Sequence, residues 1–144
     1  MAMKPFCGYN FADYWGHWLS LADKSDKLPR IFHVNWFRQD DDGKFLWPGF
    51  GENLRVLRWI IDRCEGRVGA ENTAVGNLPK TGDIDTTDLD IDAETMASLI
   101  SIDAEQWKVE MESVGEYLDS YGDRLPEALR QEHQRIVDEL QNAG

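Results

Sequence analysis

The segment IFHVNWFRQDDDGKFLWPGFGEN, Ile31 to Asn53, places five aromatic residues, Trp36, Phe37, Phe45, Trp47 and Phe50, around two turns. Arg30 to Phe37 is a short β-branched and aromatic run and reads as a buried strand. The polar stretch Arg38 to Lys44 ends in Asp42-Gly43-Lys44, a hairpin-type turn signal, so Phe45-Leu46-Trp47 is expected to be the returning strand. Pro48-Gly49-Phe50-Gly51 then leaves that strand in a glycine-rich turn. Leu54, Leu57, Ile60, Ile61 and Cys64 follow at helical spacing and stop before Gly66. The segment therefore reads as strand, glycine loop, helix.

On the amino-terminal side, Phe11, Tyr14, Trp15, Trp18 and Leu19 fall at the spacing of one helix face within Asn10 to Ala22, with Asn10 as the N-cap. Leu28-Pro29 breaks the chain before the central segment. On the carboxyl-terminal side, residues 81–94 are strongly acidic and are expected to form a solvated connector. Two closing helices are expected over residues 103–142. Asp103 and Gln106 give the first a capping-box-like start, with Trp107, Met111, Val114, Leu118 and Tyr121 as its apolar stripe. Pro126 opens the second, whose buried side includes Leu129, Ile136 and Leu140. The expected fold class is helix-rich α+β with one small sheet.

A chain of 144 residues, 42% apolar and 11% aromatic, can bury one hydrophobic core, so a single globular domain is expected. The formal charge of -12 argues against a nucleic-acid partner, because affinity for a phosphate backbone comes from clustered Lys and Arg. A local site can still differ in sign from the whole surface, so one small anionic ligand is compatible with that charge. No run of about 18 apolar residues occurs, which argues against a membrane span, and no secretory h-region follows Met1. Cys7 and Cys64 are far apart and outside any CxxC pattern, as expected of reduced, packed thiols in a cytoplasmic protein.

The aromatic segment admits two readings. Aromatic residues dominate cores through the area they bury, and the five rings can be simply that. The functional reading is a slot in which a nucleobase stacks. Such a slot needs a polar edge reader to choose among bases, and Asn53, whose amide carries donors and an acceptor, stands just past the glycine loop. The acidic stretch imitates a calcium loop at Asp83, Asp85, Thr87 and Glu94, but Asp88 occupies the place where the sharp turn requires glycine. His17, His33 and His133 show no ligand spacing, so no metal residues are assigned. GxxxxGK[ST], GxGxxG and GxSxG are all missing, and no catalytic residue is assigned.

The strings AMKPFCGYNFADYWGHWL (Ala2 to Leu19), KLPRIFHVNWFRQDDDGKFLWPGFGENLRVLRWI (Lys27 to Ile60) and VGNLP (Val75 to Pro79) closely resemble the carboxyl-terminal region of GTP-dependent phosphoenolpyruvate carboxykinases. The match covers most of residues 2–80, and the two closing helices fit the same family's tail. The resemblance implies that residues 1–144 form the carboxyl-terminal part of a nucleotide-binding domain, a fragment of the larger carboxykinase fold, with a guanine pocket in residues 30–60. It implies that Phe37 and Phe50 sandwich the guanine ring, with Phe45 at its edge and Trp36 beside them. Phe50, Gly51, Glu52 and Asn53 then contact the nucleotide, Asn53 reads the base edge, and Trp47 stays in the core.

The same resemblance implies the reaction: oxaloacetate is decarboxylated to an enolate, which takes the γ-phosphoryl group of GTP to give phosphoenolpyruvate, GDP and carbon dioxide in gluconeogenesis. In the family the phosphate loop, the manganese ligands, the substrate arginine and the lid lie upstream of the part that matches Met1. The chain alone is therefore expected to be inactive and to bind neither manganese nor magnesium, its partners being a guanine nucleotide and that upstream part. Surfaces that face the upstream part are expected to be bare near Asn10 to Leu19, with self-association as a consequence. The alternative is an acidic structural or protein-interaction domain with no ligand.

Overall fold

The computed structural model describes residues 4–142, so Ala2 and Met3 of the first matched string lie outside it. The protein is helix-rich α+β with one small antiparallel sheet. The described residues fold as two compact units, one built from residues 4–29 and 103–142 and the other from residues 30–102.

The first unit holds α1 (Phe11–Ser20), α4 (Ala104–Asp119) and α5 (Glu127–Asn142). Asn10 caps α1 by accepting from the Ala12 backbone N–H at 2.9 Å. Asp103 caps α4 by accepting from the N–H groups of Glu105 and Gln106. The stripes of α4 and α5 close on Met111 and Leu140, and the ring of His133 comes within 2.8 Å of the Met111 carbonyl. Gly115 permits that approach, since a Cβ there would stand 3.1 Å from the imidazole. The aromatic face expected to be bare on α1 is partly covered: Phe11 is buried, and Trp15 lies edge-on against Tyr117 and Tyr121. Tyr9 and Leu19 remain exposed.

The second unit contains α2 (Asn53–Cys64), β1 (Glu71–Thr73), β2 (Gly76–Leu78) and α3 (Ala93–Ile100). Its core is Trp47, Trp59 and Ile84, with Phe32, Trp36, Val56, Ile60, Leu89, Ile91, Met96 and Leu99 packed around them. The sheet is the hairpin β1-β2, in register Glu71 to Leu78 and Thr73 to Gly76.

Three expectations change here. The central segment does not carry the sheet: Ile31 to Phe37 alternates between exposed and half-buried as a strand would, but pairs with no strand among the described residues. The Asp-Gly turn does form. Gly43 takes φ +79, Asp40 accepts from the Asp42 and Lys44 N–H groups, and a single bridge joins Gln39 to Phe45.

The helix after the glycine loop buries Trp59 and half-buries Val56 and Ile60, whereas Leu54, Leu57, Ile61 and Cys64 of the predicted stripe lie exposed. Cys64 is thus not a packed thiol, and Cys7 is half-buried. The indole presents more area for burial than the aliphatic side chains opposite it, so the aromatic face is the one turned inward.

The acidic stretch, finally, is more than a solvated connector. Ile84 is buried between its carboxylates, Leu89 and Ile91 join the same core, and Asp83 accepts from the Trp59 indole N–H. The missed helix α3 follows, capped by Asp92 on the Thr95 N–H. Among the described residues no helix is long and apolar enough to cross a membrane.

Candidate functional site

All seven residues named from the sequence, Trp36, Phe37, Phe45, Phe50, Gly51, Glu52 and Asn53, belong to the second unit. The turn at Asp40 to Lys44 folds its two arms back so that Phe37 and Phe45 meet edge to face, with ring centroids 5.9 Å apart. The Leu46 N–H donates to the Arg38 carbonyl and closes the base of this loop. Burial separates the five aromatic residues into two groups. Trp47 is 6% exposed and Trp36 half-buried, whereas Phe37, Phe45 and Phe50 are 72%, 51% and 91% exposed. Three large apolar rings kept at the surface around one loop pair are unusual for core residues, and exposed rings of this kind can stack on a flat ligand.

The second loop is built on Gly49, whose φ of +118 and ψ of -168 only glycine adopts without strain. The chain then makes one tight turn over Phe50–Glu52 and enters α2 at Asn53. Arg55, one turn into the helix, donates to Glu52 at 2.7 Å and to the Asp85 carbonyl at 2.9 Å. Its guanidinium is held above the ordinary arginine range by the hydrogen bond to Glu52. The loop is thereby tethered to the acidic stretch.

Asn53 is half-buried, and its Oδ1 accepts from the Trp47 indole N–H at 2.9 Å. Trp47 in turn lies against Trp36, with centroids 6.3 Å apart. A continuous set of contacts thus runs from Asn53 through Trp47 to the residue beside Phe37. The sequence places Trp47 in the core but does not by itself pair its N–H with Asn53. A buried indole N–H needs an acceptor, and that requirement is the signal that was available.

A cleft of about 290 Å³ opens elsewhere in the unit, between the hairpin and α3, lined by Glu71, Thr73, Leu78, Ala97, Ile100 and Ile102. None of the named residues lines it, and it has no aromatic face for a base. Among the described residues no group of three or more His, Cys, Asp or Glu side chains is placed to hold a metal ion. The manganese or magnesium that the resemblance implies therefore finds no fitting donor set among the described residues.

Residues 1–139 match the family described as phosphoenolpyruvate carboxykinase C-terminal P-loop domain. The chain is 49% identical over 145 residues to the phosphoenolpyruvate carboxykinase [GTP] of Neocallimastix frontalis, covering 99% of this chain and 24% of that protein. It is 50% identical over 141 residues to the enzyme of the same name from Chlamydia pneumoniae, covering 96% of this chain and 24% of the relative. For the protein of that name from Corynebacterium efficiens the figures are 46% over 144 residues, 99% and 24%. The chain spans about a quarter of the length of these relatives. With an aromatic loop pair, a glycine turn into a helix, and this similarity over nearly its whole length, the chain belongs to the family of GTP-dependent phosphoenolpyruvate carboxykinases.

Proposed function

We propose that this chain supplies the guanine-binding part of a phosphoenolpyruvate carboxykinase. In that reading the protein it serves decarboxylates oxaloacetate and transfers the γ-phosphoryl group of GTP to the resulting enolate oxygen. Phosphoryl transfer rests on positioning and charge neutralisation, and the task of these residues is to hold the base so that the phosphates reach the reacting centre in register. Phe37 and Phe50 stack on the two faces of the ring, Phe45 and Trp36 close its edge, and the loop Phe50-Gly51-Glu52-Asn53 meets the nucleotide. The cytoplasm is the proposed location.

The observation that carries this reading is the exposure of Phe37, Phe45 and Phe50 beside a fully packed Trp47. Burying three rings would stabilise a core by several kcal/mol, so rings left in water around one loop pair call for a flat apolar ligand. Stacking on one such ring is worth roughly 1 to 3 kcal/mol per base. Two rings and an edge contact, less the entropy of association, leave an affinity on the order of millimolar.

Titrating the chain with guanosine while following its amide resonances tests the proposal. Shifts concentrated at Trp36, Phe37, Phe45 and the loop Phe50-Gly51-Glu52-Asn53 are expected; shifts only elsewhere, or none up to saturation of the nucleoside, would overturn it. The chain alone is expected to give no phosphoenolpyruvate from oxaloacetate, GTP and manganese, and measurable product would show that it carries chemistry assigned here to the rest of the polypeptide.

A further inference from the structure

An indole N–H can only donate, so the atom of the Asn53 carboxamide that faces Trp47 at 2.9 Å must be the acceptor Oδ1. This removes the usual ambiguity between the two ends of an amide. The opposite end, Nδ2 with its two donors, is then turned away from the buried indole. Among the described residues it has no protein acceptor to engage it. Trp47 has little freedom to let the amide rotate, because its ring is packed against Trp36 and within the core of Trp59 and Ile84.

The consequence concerns which base the slot prefers. Guanine carries the acceptor O6 where adenine carries an amino group, so an outward pair of N–H donors matches the first and meets the donors of the second. An amide free to flip would present either end and discriminate poorly. Resting on the guanine-slot reading above, we propose that Trp47 is the positioning residue for base selection. Its indole N–H locks Asn53 Oδ1 inward and thereby commits Nδ2 to the O6 acceptor of guanine. Asn53 touches the base; Trp47 acts only through it.

Two measurements test this on the chain as it stands, one without ligand and one with it. The Trp47 indole proton should resonate downfield and exchange slowly in the wild-type chain, and both properties should be lost in Asn53→Ala. Asn53→Asp, which keeps an acceptor for the indole but has no donor to offer, should retain the indole signature. An indole proton unaffected by Asn53→Ala would overturn the lock.

The second measurement compares 5′-GMP with 5′-AMP, whose phosphates are alike, so that only the base differs. Trp47→Phe should lower the GMP-to-AMP affinity ratio about tenfold, the scale of one matched partly buried hydrogen bond, with AMP affinity nearly unchanged. Asn53→Asp should lower that ratio at least as far, and Trp47→Phe combined with Asn53→Ala should be no less selective than Asn53→Ala alone. Equal weakening of both nucleotides in Trp47→Phe would mean a merely structural role and overturn the proposal. So would an unchanged ratio. Should Trp47→Phe fail to fold by circular dichroism, Asn53→Asp alone decides: retained GMP preference overturns the proposal, and its loss with the indole signature intact supports it. No GMP binding by the wild-type chain would refute the slot itself, and the role of Trp47 with it. That outcome is distinguished from a failure of the lock by the wild-type titration.

Discussion

Trp59 joins burial to a polar anchor. Its ring meets Phe32 edge-on at 6.3 Å, and its N–H reaches Asp83, which also accepts from the Lys80 backbone N–H. Removing the ring leaves a cavity under α2 and frees the acidic stretch that packs over it. Trp59→Ala should therefore cost about 3 to 5 kcal/mol. Leu54, on the opposite side of the same helix and 73% exposed, offers the contrast, since Leu54→Ala should change stability by less than about 0.5 kcal/mol. Urea melts of the two variants check the pair, and equal effects would mean that the helix face is wrongly assigned. The helix is legible in the sequence, but of the expected apolar set only Ile60 packs on the core. Leu54, Leu57 and Ile61 have the spacing of a core stripe, but so do Val56, Trp59 and Ile60, and periodicity alone does not choose between the two faces.

At the scale of elements, capping and turn chemistry were legible because they depend on side chains acting on their own neighbours. Asn10, Asp103 and the Asp40 to Gly43 turn are where local hydrogen bonding puts them. One small sheet was legible but its position was not, because a ladder needs a partner that a run of β-branched residues does not name. Arg30 to Phe37 has strand composition without one, while Glu71–Thr73 forms a strand with weak composition because β2 lies two residues away. The helix α3 was hidden by the acidic composition ahead of it, although Asp92 followed by Met96, Leu99 and Ile100 carries a cap and a stripe.

That cap predicts a pH dependence. The Thr95 backbone N–H holds the Asp92 carboxyl below its ordinary value, so the folded pKa is depressed relative to the unfolded chain. Its contribution is then fully present above the unfolded value, near 4, and is lost as pH falls through the lower folded value. The first turn of α3 should fray in that window. Following the Thr95 amide by NMR from pH 6 to pH 2 should show the transition in the wild type, and Asp92→Asn, which cannot titrate, should lack it. A transition that persists in Asp92→Asn would assign the effect to another carboxylate. Arg55 predicts a second effect at this scale. Arg55→Met should increase the amplitude of fast motion at Phe50 and Gly51 without unfolding α2, because among the described residues the bonds removed are those to Glu52 and Asp85. Unchanged backbone order parameters there would mean that the loop is held by Gly49 and the turn alone.

For the whole molecule the decisive quantity is charge. The chain carries a formal charge of -12, and it contains no phosphate-loop motif to cradle a triphosphate. Of the cations near the slot in sequence, Arg38 is directed at the carbonyls of Leu99 and Ser101, while Lys44 stands next to Phe45 in the turn. One lysine offsets part of the repulsion that a triphosphate meets, and salt screens what remains beyond a distance of about 8 to 10 Å. Added phosphates should therefore change affinity little: guanosine, GDP and GTP should bind within about tenfold of one another at 0.15 M salt, with or without magnesium. Lowering the ionic strength should weaken GTP relative to guanosine, since the long-range term is repulsive. Parallel titrations of the three ligands at two salt concentrations provide the measurement. GTP binding more than tenfold tighter than guanosine, or binding only with magnesium, would mean that the chain builds a phosphate site of its own.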